Sequence, residues 1–284
     1  MPGLKDLFIG MTEPENIELL LARLSTDIQA SRKYRSLDLP QETLRDLLEQ
    51  ELTKGRSGNA ALQAVREKLH NIVAPYLGDP DYQAAAFMLD EAIHSRDEKN
   101  IKATCNDILA AHASTRERIS MLDSFYQQLW SVTGVPGSIL DLACGLHPFG
   151  LPWMGLPLET RYHAYDLHTP RIELINHFFK LLGREPLAVV QDVLVSPPKV
   201  QADVALFFKE AHRFEQRQKG CNRPFFEALN VRWLLVSLPA ADLSGHHSMI
   251  DRQRSLMDSI LIGLDWPVQE LLIGNELVFC IRKT

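Results

Sequence analysis

The spacing of apolar residues changes near residue 112, and this change divides the 284-residue chain into an all-helical part and an alternating part. Upstream, apolar residues recur at steps of three and four, the period of a helix with one buried face. Ile17, Leu20, Leu21, Leu24 and Ile28 mark one helix, Leu44, Leu47 and Leu48 a second, and Leu62, Val65, Leu69 and Ile72 a third. Pro40 and Gly55-Arg56-Ser57-Gly58 separate them, and Pro75, Gly78 and Pro80 close the group. Two shorter helices follow, around 82–93 and 99–111. A helical first domain over residues 1–111 is the expectation.

Ser114-Thr115-Arg116-Glu117 reads as a capping box opening a longer helix that carries Ile119, Leu122, Phe125, Tyr126, Leu129 and Trp130. Strands are expected at 138–142, 161–165, 187–190, 204–208 and 234–238, with helices such as 170–182 and 222–229 between them. That alternation implies an α/β, Rossmann-like domain over residues 112–284, built on a parallel sheet. Val268–Ile273 and Glu276–Arg282 flank Gly274-Asn275 as the arms of a closing hairpin.

Composition narrows the class. With 45% hydrophobic and 23% charged residues the chain is globular. No apolar run approaches the roughly 20 residues that cross a bilayer. The N-terminus carries no basic segment leading into an apolar one, so no secretion signal is read. Cys105, Cys144, Cys221 and Cys280 lie far apart without Cys-x-x-Cys spacing, which points to reduced cytoplasmic thiols and against a zinc site. A net charge of -6 offers no global attraction for nucleic acid, so any such footprint must be a local patch.

In an open α/β sheet, ligands bind beyond the carboxyl ends of the strands, at the topological switch point. The first expected strand runs into Asp141-Leu142-Ala143-Cys144-Gly145, where Gly145 lets a ligand approach the backbone. The second ends in Asp166, placed to accept hydrogen bonds from ribose hydroxyls. The third ends in Gln191-Asp192, polar groups suited to an adenine edge. Each has a plain alternative, a helix cap for Asp141 and a solvated turn for Asp166. In order along the chain they point to a nucleoside cofactor. The turn lacks the three-glycine pattern that cradles a pyrophosphate, which favours S-adenosylmethionine over NAD. Lys209, just past the fourth strand, either faces a substrate or caps the strand end.

With these residues assembled, the chain resembles the bacterial 16S rRNA (guanine-N7) methyltransferases that confer aminoglycoside resistance. The resemblance rests on Ser31-Arg32-Lys33-Tyr34-Arg35, His112-Ala113-Ser114-Thr115-Arg116-Glu117-Arg118, Leu140–Pro148 and Gln191-Asp192-Val193-Leu194. Phe208-Lys209, Ser237-Leu238-Pro239 and Asn275-Glu276-Leu277 extend it nearly to the C-terminus. It implies a class I methyltransferase fold with an N-terminal helical rRNA-binding domain. It also implies that Arg118, Gly145, Asp166, Gln191 and Asp192 surround S-adenosylmethionine, with Arg118 on the methionine carboxylate. The implied target is N7 of a decoding-site guanine in the assembled small ribosomal subunit. S-adenosylhomocysteine is the product, and the enzyme is read as a cytoplasmic monomer without a metal.

Guanine N7 has a lone pair and no proton, so its methylation needs in-line placement and no general base. N7 faces the deep major groove of A-form RNA, and the base must be unstacked to be reached. Phe149 and Trp153 are candidate platforms for it, or core residues. Cys144 reads as a small packing residue and His246-His247 as a solvated loop. Arg32, Lys33 and Arg35 are candidate phosphate contacts. The family has basic residues in the segment matching Ala240–Met249, and here Arg252 and Arg254 could stand in for them. Glu210-Ala211-His212-Arg213 replaces a mostly apolar stretch. A second reading stays open: a homologue that binds S-adenosylmethionine and has lost or changed its rRNA target.

Overall fold

The computed structural model describes residues 14–31, 39–73, 79–241 and 247–283. They fall into two compact units, one made of the described residues up to 73 and the other of those from 79 onward.

In the first unit, α1 (Pro14–Ala30), α2 (Gln41–Thr53) and α3 (Gly58–Val73) are the three helices that the leucine spacing predicts. Leu20, Leu24, Leu44, Leu47, Leu48, Leu62, Val65 and Leu69 form their shared core. One acid belongs to this interior. Glu51, 1% exposed, receives Lys54 at 2.8 Å, Lys68 at 2.7 Å and Arg56 at 3.0 Å. Burial raises its pKa, and the lysines more than reverse this, so the carboxyl stays below its ordinary range. Three cations on one carboxylate leave a local surplus of positive charge.

The second unit opens with α4 (Tyr82–His94) and α5 (Glu98–Ala110), each started by an aspartate cap. Asp81 accepts from the amides of Gln83 and Ala84, and Asp97 from that of Lys99, all at 3.0 Å. Caps of this kind contribute about 1 kcal/mol each. Then come α6 (Ala113–Arg116), a 3-10 turn over Ile119–Met121 and α7 (Leu122–Thr133). The long helix expected from the capping box is thus broken into three pieces. His112, not Ser114, precedes the first turn. The Thr115 hydroxyl donates back to the Leu109 carbonyl at 2.5 Å, and Glu117 reaches Lys209 instead of closing the box.

From there strands and helices alternate: β1 (Ser138–Leu142), β2 (Arg161–Asp166), α8 (Thr169–Leu181), β3 (Ala188–Val190), β4 (Ala202–Phe208), α9 (Ala211–Arg217), α10 (Asn222–Ala228), β5 (Val231–Pro239), α11 (Ile250–Leu261), β6 (Val268–Ile273) and β7 (Glu276–Arg282). A 3-10 segment over His147–Trp153 follows β1. The sheet order is β3-β2-β1-β4-β5-β7-β6, parallel except for β7, which runs antiparallel to both neighbours. The expected hairpin forms at Gly274 (φ 55°), and its second strand inserts beside β5. α9 and α11 were not anticipated.

Side chains of the central strands alternate between two cores. One holds Ile139 with residues of α4, α5, α7 and α8, and the other holds Leu140 and Leu142 with Phe214, Phe225, Phe226 and Met257. The expected boundary at 111/112 is corrected by this packing. Ala85 and Leu89 of α4 and Cys105, Ile108 and Leu109 of α5 lie in the same core as Ile139 and Leu206, so these helices belong to the sheet domain. Their helical period resembles that of the first three helices, and periodicity does not say which partner a face covers.

Candidate active site

Successive strands are laid down to one side from β1 to β3 and to the other side from β4 onward, so the gap between the parallel neighbours β1 and β4 is the position where an open α/β sheet leaves a crevice beyond the strand ends. Three residues there hold left-handed backbone: Ala143 (φ 51°) and Gly145 (φ 54°) after β1, and Lys209 (φ 61°) after β4. Only glycine adopts this region without strain. Two non-glycine residues in it show that the fold over-determines the two turns.

Asp166 is the anchor of the first turn. Its Oδ2 accepts the Gly145 amide at 2.9 Å, and its Oδ1 accepts the His168 amide at 3.0 Å and Arg171 Nη1 at 2.9 Å. The carboxylate is 3% exposed and the Arg171 guanidinium fully buried. Arg171 also reaches Asp79 through Nη2, at 2.6 and 2.9 Å from its two oxygens. Asp79 in turn takes His112 Nε2, the Tyr82 hydroxyl and His168 Nδ1, the last at 3.1 Å. Burial raises the Asp79 pKa, but the histidine bonds and Arg171 hold it well below the usual carboxylate range. Sequence reasoning missed this cluster. Its members lie far apart in the chain, and only His112 fell within a quoted motif.

Asp141 plays a different part from the one expected. Its Oδ2 accepts the Tyr162 hydroxyl at 2.7 Å and His147 Nδ1 at 2.8 Å, and His147 Nε2 meets the Tyr126 hydroxyl at 3.0 Å. This buried chain braces the 3-10 segment against α7 from inside the sheet face that holds Ile139. Arg118 also has an unexpected partner. Its Nε and Nη2 donate to Glu276 at 2.9 and 2.7 Å, so the fork expected for a cofactor carboxylate is engaged within the protein. The guanidinium lies over Phe125 and Phe208, 4.6 and 4.8 Å from the ring centroids. Lys209 Nζ reaches Glu117 at 2.6 Å and Glu276 at 3.3 Å. Two buried cations and two carboxylates thus meet at the end of β4.

Gln191 donates from Nε2 to the Ser196 carbonyl at 2.5 Å, and its amide bonds the Asp166 carbonyl at 2.9 Å. Asp192 pairs with Arg217 at 2.7 Å and accepts the Leu194 amide at 3.1 Å, which makes it a turn-forming group. Phe149 is fully buried against Phe178, with centroids 5.1 Å apart, and is core. Trp153 packs at the edge of the same core under Lys102. Burial pushes the Cys144 thiol well above its ordinary pKa, in keeping with a packing role. Arg254 is held by Glu270 at 2.8–3.2 Å, which offsets its charge for an outside anion. Arg252 is exposed on α11, as is His247 before it. Arg32, Lys33, Arg35 and His246 lie outside the described residues.

Glu210, the residue after Lys209, is pushed up to about 7 by burial and by Asp166, against Arg213 and Arg171. An acid with a raised native pKa binds more protons folded than unfolded, so its contribution is lost as pH rises. Stability should therefore fall between about pH 4.5 and 7. Glu210→Gln is expected to raise the melting temperature at pH 8 and leave it unchanged at pH 4. Equal shifts at both values would contradict this.

A family model described as "Ribosomal RNA methyltransferase (FmrO)" matches residues 30–280. A 16S rRNA (guanine(1405)-N(7))-methyltransferase of Serratia marcescens is 30% identical over 259 residues, covering 91% of this chain and 96% of its own. Among solved structures, the 16S rRNA methylase RmtB superposes with a TM-score of 0.73 at 29% identity, covering 96% of this chain and all of that one. RmtF in complex with S-adenosyl-L-homocysteine gives 0.75 at 25% identity, with the same coverage.

Proposed function

The chain belongs to the FmrO family of ribosomal RNA methyltransferases, and on that premise we propose the reaction it performs. It transfers a methyl group from S-adenosylmethionine to N7 of a decoding-site guanine in 16S rRNA, within the assembled small subunit. Aminoglycoside resistance follows from the modified site. As a ribosome-modifying enzyme it acts in the cytoplasm.

The observation that carries this reading is the crevice at the β1–β4 switch point with Asp166 locked at its rim. The residues fit the cofactor. Asp166 takes three N–H donors on a group with about four acceptor positions, and it stays oriented for a ribose hydroxyl. Arg118, Lys209, Glu117 and Glu276 offer both signs of charge, as a zwitterionic amino-acid tail requires. Gln191 and Asp192, at the end of β3, would border the adenine. Bound there, the cofactor supplies an electrophilic sulfonium methyl group.

The remaining work is placement. N7 presents a lone pair and no proton, so no side chain has to act as a base. Lys209, fixed by its backbone and by Glu117 and Glu276, positions the acceptor side of the crevice. Arg252 on α11, the cations around Glu51, and Arg32, Lys33 and Arg35 are the candidate phosphate contacts, which set register without reading sequence. Bacteria expressing the chain should survive kanamycin and gentamicin. Lys209→Met, at equal protein level, should abolish survival and reduce methyl transfer at least about tenfold, an effect of 1.4 kcal/mol or more on the barrier. Full resistance with Lys209→Met would remove that residue from the mechanism.

A further inference from the structure

The polar stretch that follows β4 has no task in the roles above. Lys209 turns the chain with its left-handed backbone and sends its side chain to Glu117, Glu276 and the Ser114 carbonyl. Glu210 comes next, and its side chain is 21% exposed. Burial and Asp166 raise its pKa, while Arg213 and Arg171 oppose them. Asp166 and Arg171 border the crevice, so their influence places this carboxyl on the crevice side of the turn. Arg213, three residues on in α9, has Nη1 3.4 Å from Glu210 Oε1, and its side chain is 43% exposed. Charge-assisted hydrogen bonds usually close to about 2.7–2.9 Å, so the pair is loose. Among the described residues neither side chain has another hydrogen-bond or ion-pair partner.

A carboxylate beside a guanidinium presents acceptors next to a row of donors. The Watson–Crick edge of guanine is its complement: N1–H and N2–H donate, and O6 beside them accepts. Adenine offers the reverse, a donor at N6 and a lone pair at N1, and would set donor against donor and acceptor against acceptor. N7 lies on a different edge of the purine, so a guanine whose N7 meets the sulfonium methyl keeps its Watson–Crick edge free. Enzymes that draw a base out of its stack read it on that edge. Adenine also has an unprotonated N7, so the chemistry of transfer does not itself select guanine.

We propose that Glu210 and Arg213 together determine base specificity, the Glu210 carboxylate accepting from N1–H and N2–H of the unstacked guanine and Arg213 donating to its O6. This rests on the reading of the crevice as the site of guanine N7 methylation. It gives the loose pair a ligand that satisfies both members at once, and it explains why an acid stands at the mouth of a site that needs no base. Lys209, already held by two carboxylates, is left to support the turn that presents them.

The test measures methyl transfer at about pH 8, where Glu210 is ionised, to small subunits with guanine at the target position and to subunits with adenine there. Wild-type protein should strongly prefer guanine. Glu210→Gln puts an amide donor against guanine N1–H and removes the repulsion of adenine N1. Its rate on guanine subunits should fall about tenfold, in line with the usual discrimination of a bidentate base contact, and its preference for guanine over adenine should fall further. Arg213→Met should lower the rate on guanine subunits by a similar factor. Binding of S-adenosylhomocysteine, measured by calorimetry, should stay within about threefold of wild type in both variants, a result that a general distortion of the crevice would not give. An unchanged preference in Glu210→Gln would overturn the proposal, as would a loss of S-adenosylhomocysteine affinity that matches the loss of rate. Failure of wild-type protein to label guanine subunits would instead remove the reading on which the proposal stands.

Discussion

Arg118→Met is expected to destabilise the sheet domain by about 3–5 kcal/mol, the usual penalty for stranding one member of a buried ion pair. Glu276 is 1% exposed, and Arg118 supplies both ends of its fork. Burial raises the Glu276 pKa, while Arg118 and Lys209 together hold the carboxyl below its ordinary value. A carboxyl with a depressed native pKa stabilises the fold above its unfolded pKa, and this support is lost as pH falls. Without Arg118 the carboxyl moves upward, so the deficit of the variant should be largest near neutral pH and shrink in acid. At about 2–4 °C per kcal/mol for a domain of this size, the melting point should drop by roughly 10 °C. Adding Glu276→Gln removes the stranded charge and should restore much of the loss. A double variant as unstable as the sum of the two single ones would show that the two side chains do not act as a pair.

Asp166→Ala should weaken S-adenosylhomocysteine binding about a hundredfold, measured by calorimetry on folded protein. The substitution deletes the proposed ribose acceptor, and a hydrogen bond to a charged group contributes about 1.5–3 kcal/mol. It also frees the Gly145 amide and one arm of Arg171, so the glycine turn loses its anchor. Arg171 keeps Asp79, which limits the effect on stability and makes the binding defect measurable. Asp166→Asn separates shape from charge. It retains an oxygen for one backbone amide and removes the full negative charge facing Arg171, and an intermediate loss of about tenfold is expected. Unchanged affinity in both variants would contradict the placement of the ribose.

The architecture was legible because its signals are local. Strand-length runs at 138–142 and 161–165 and a glycine hairpin at 274 depend on neighbours in sequence, and each appears in the structure, the second strand extending one residue further to Asp166. Asp166 and Gly145 could be read as a pair because each ends a strand, and the sheet brings strand ends together. What the sequence concealed is long-range pairing. Nothing near Arg118 announces Glu276, 158 residues away, and nothing near Asp79 announces Arg171, 92 residues away. Asp141 misled for the same reason. At the end of a strand it looks like a ligand group, yet Tyr162 and His147 approach it from behind. The capping box misled because Glu117 found a stronger partner in Lys209 than the backbone amide three residues earlier. α4 and α5 were assigned to the wrong domain because an apolar helical face looks the same whether it covers another helix or a sheet.

The central claim is methyl transfer to the small ribosomal subunit, and one measurement tests it directly. Purified protein is incubated with small subunits and S-adenosylmethionine carrying a labelled methyl group, and N7-methylguanine is mapped by strand scission of the 16S rRNA. Label and scission at a single decoding-site guanine are expected, both lost with Lys209→Met. Absence of label on the subunit, from protein that binds S-adenosylhomocysteine, would contradict the proposed target and leave a cofactor-binding fold whose acceptor lies elsewhere.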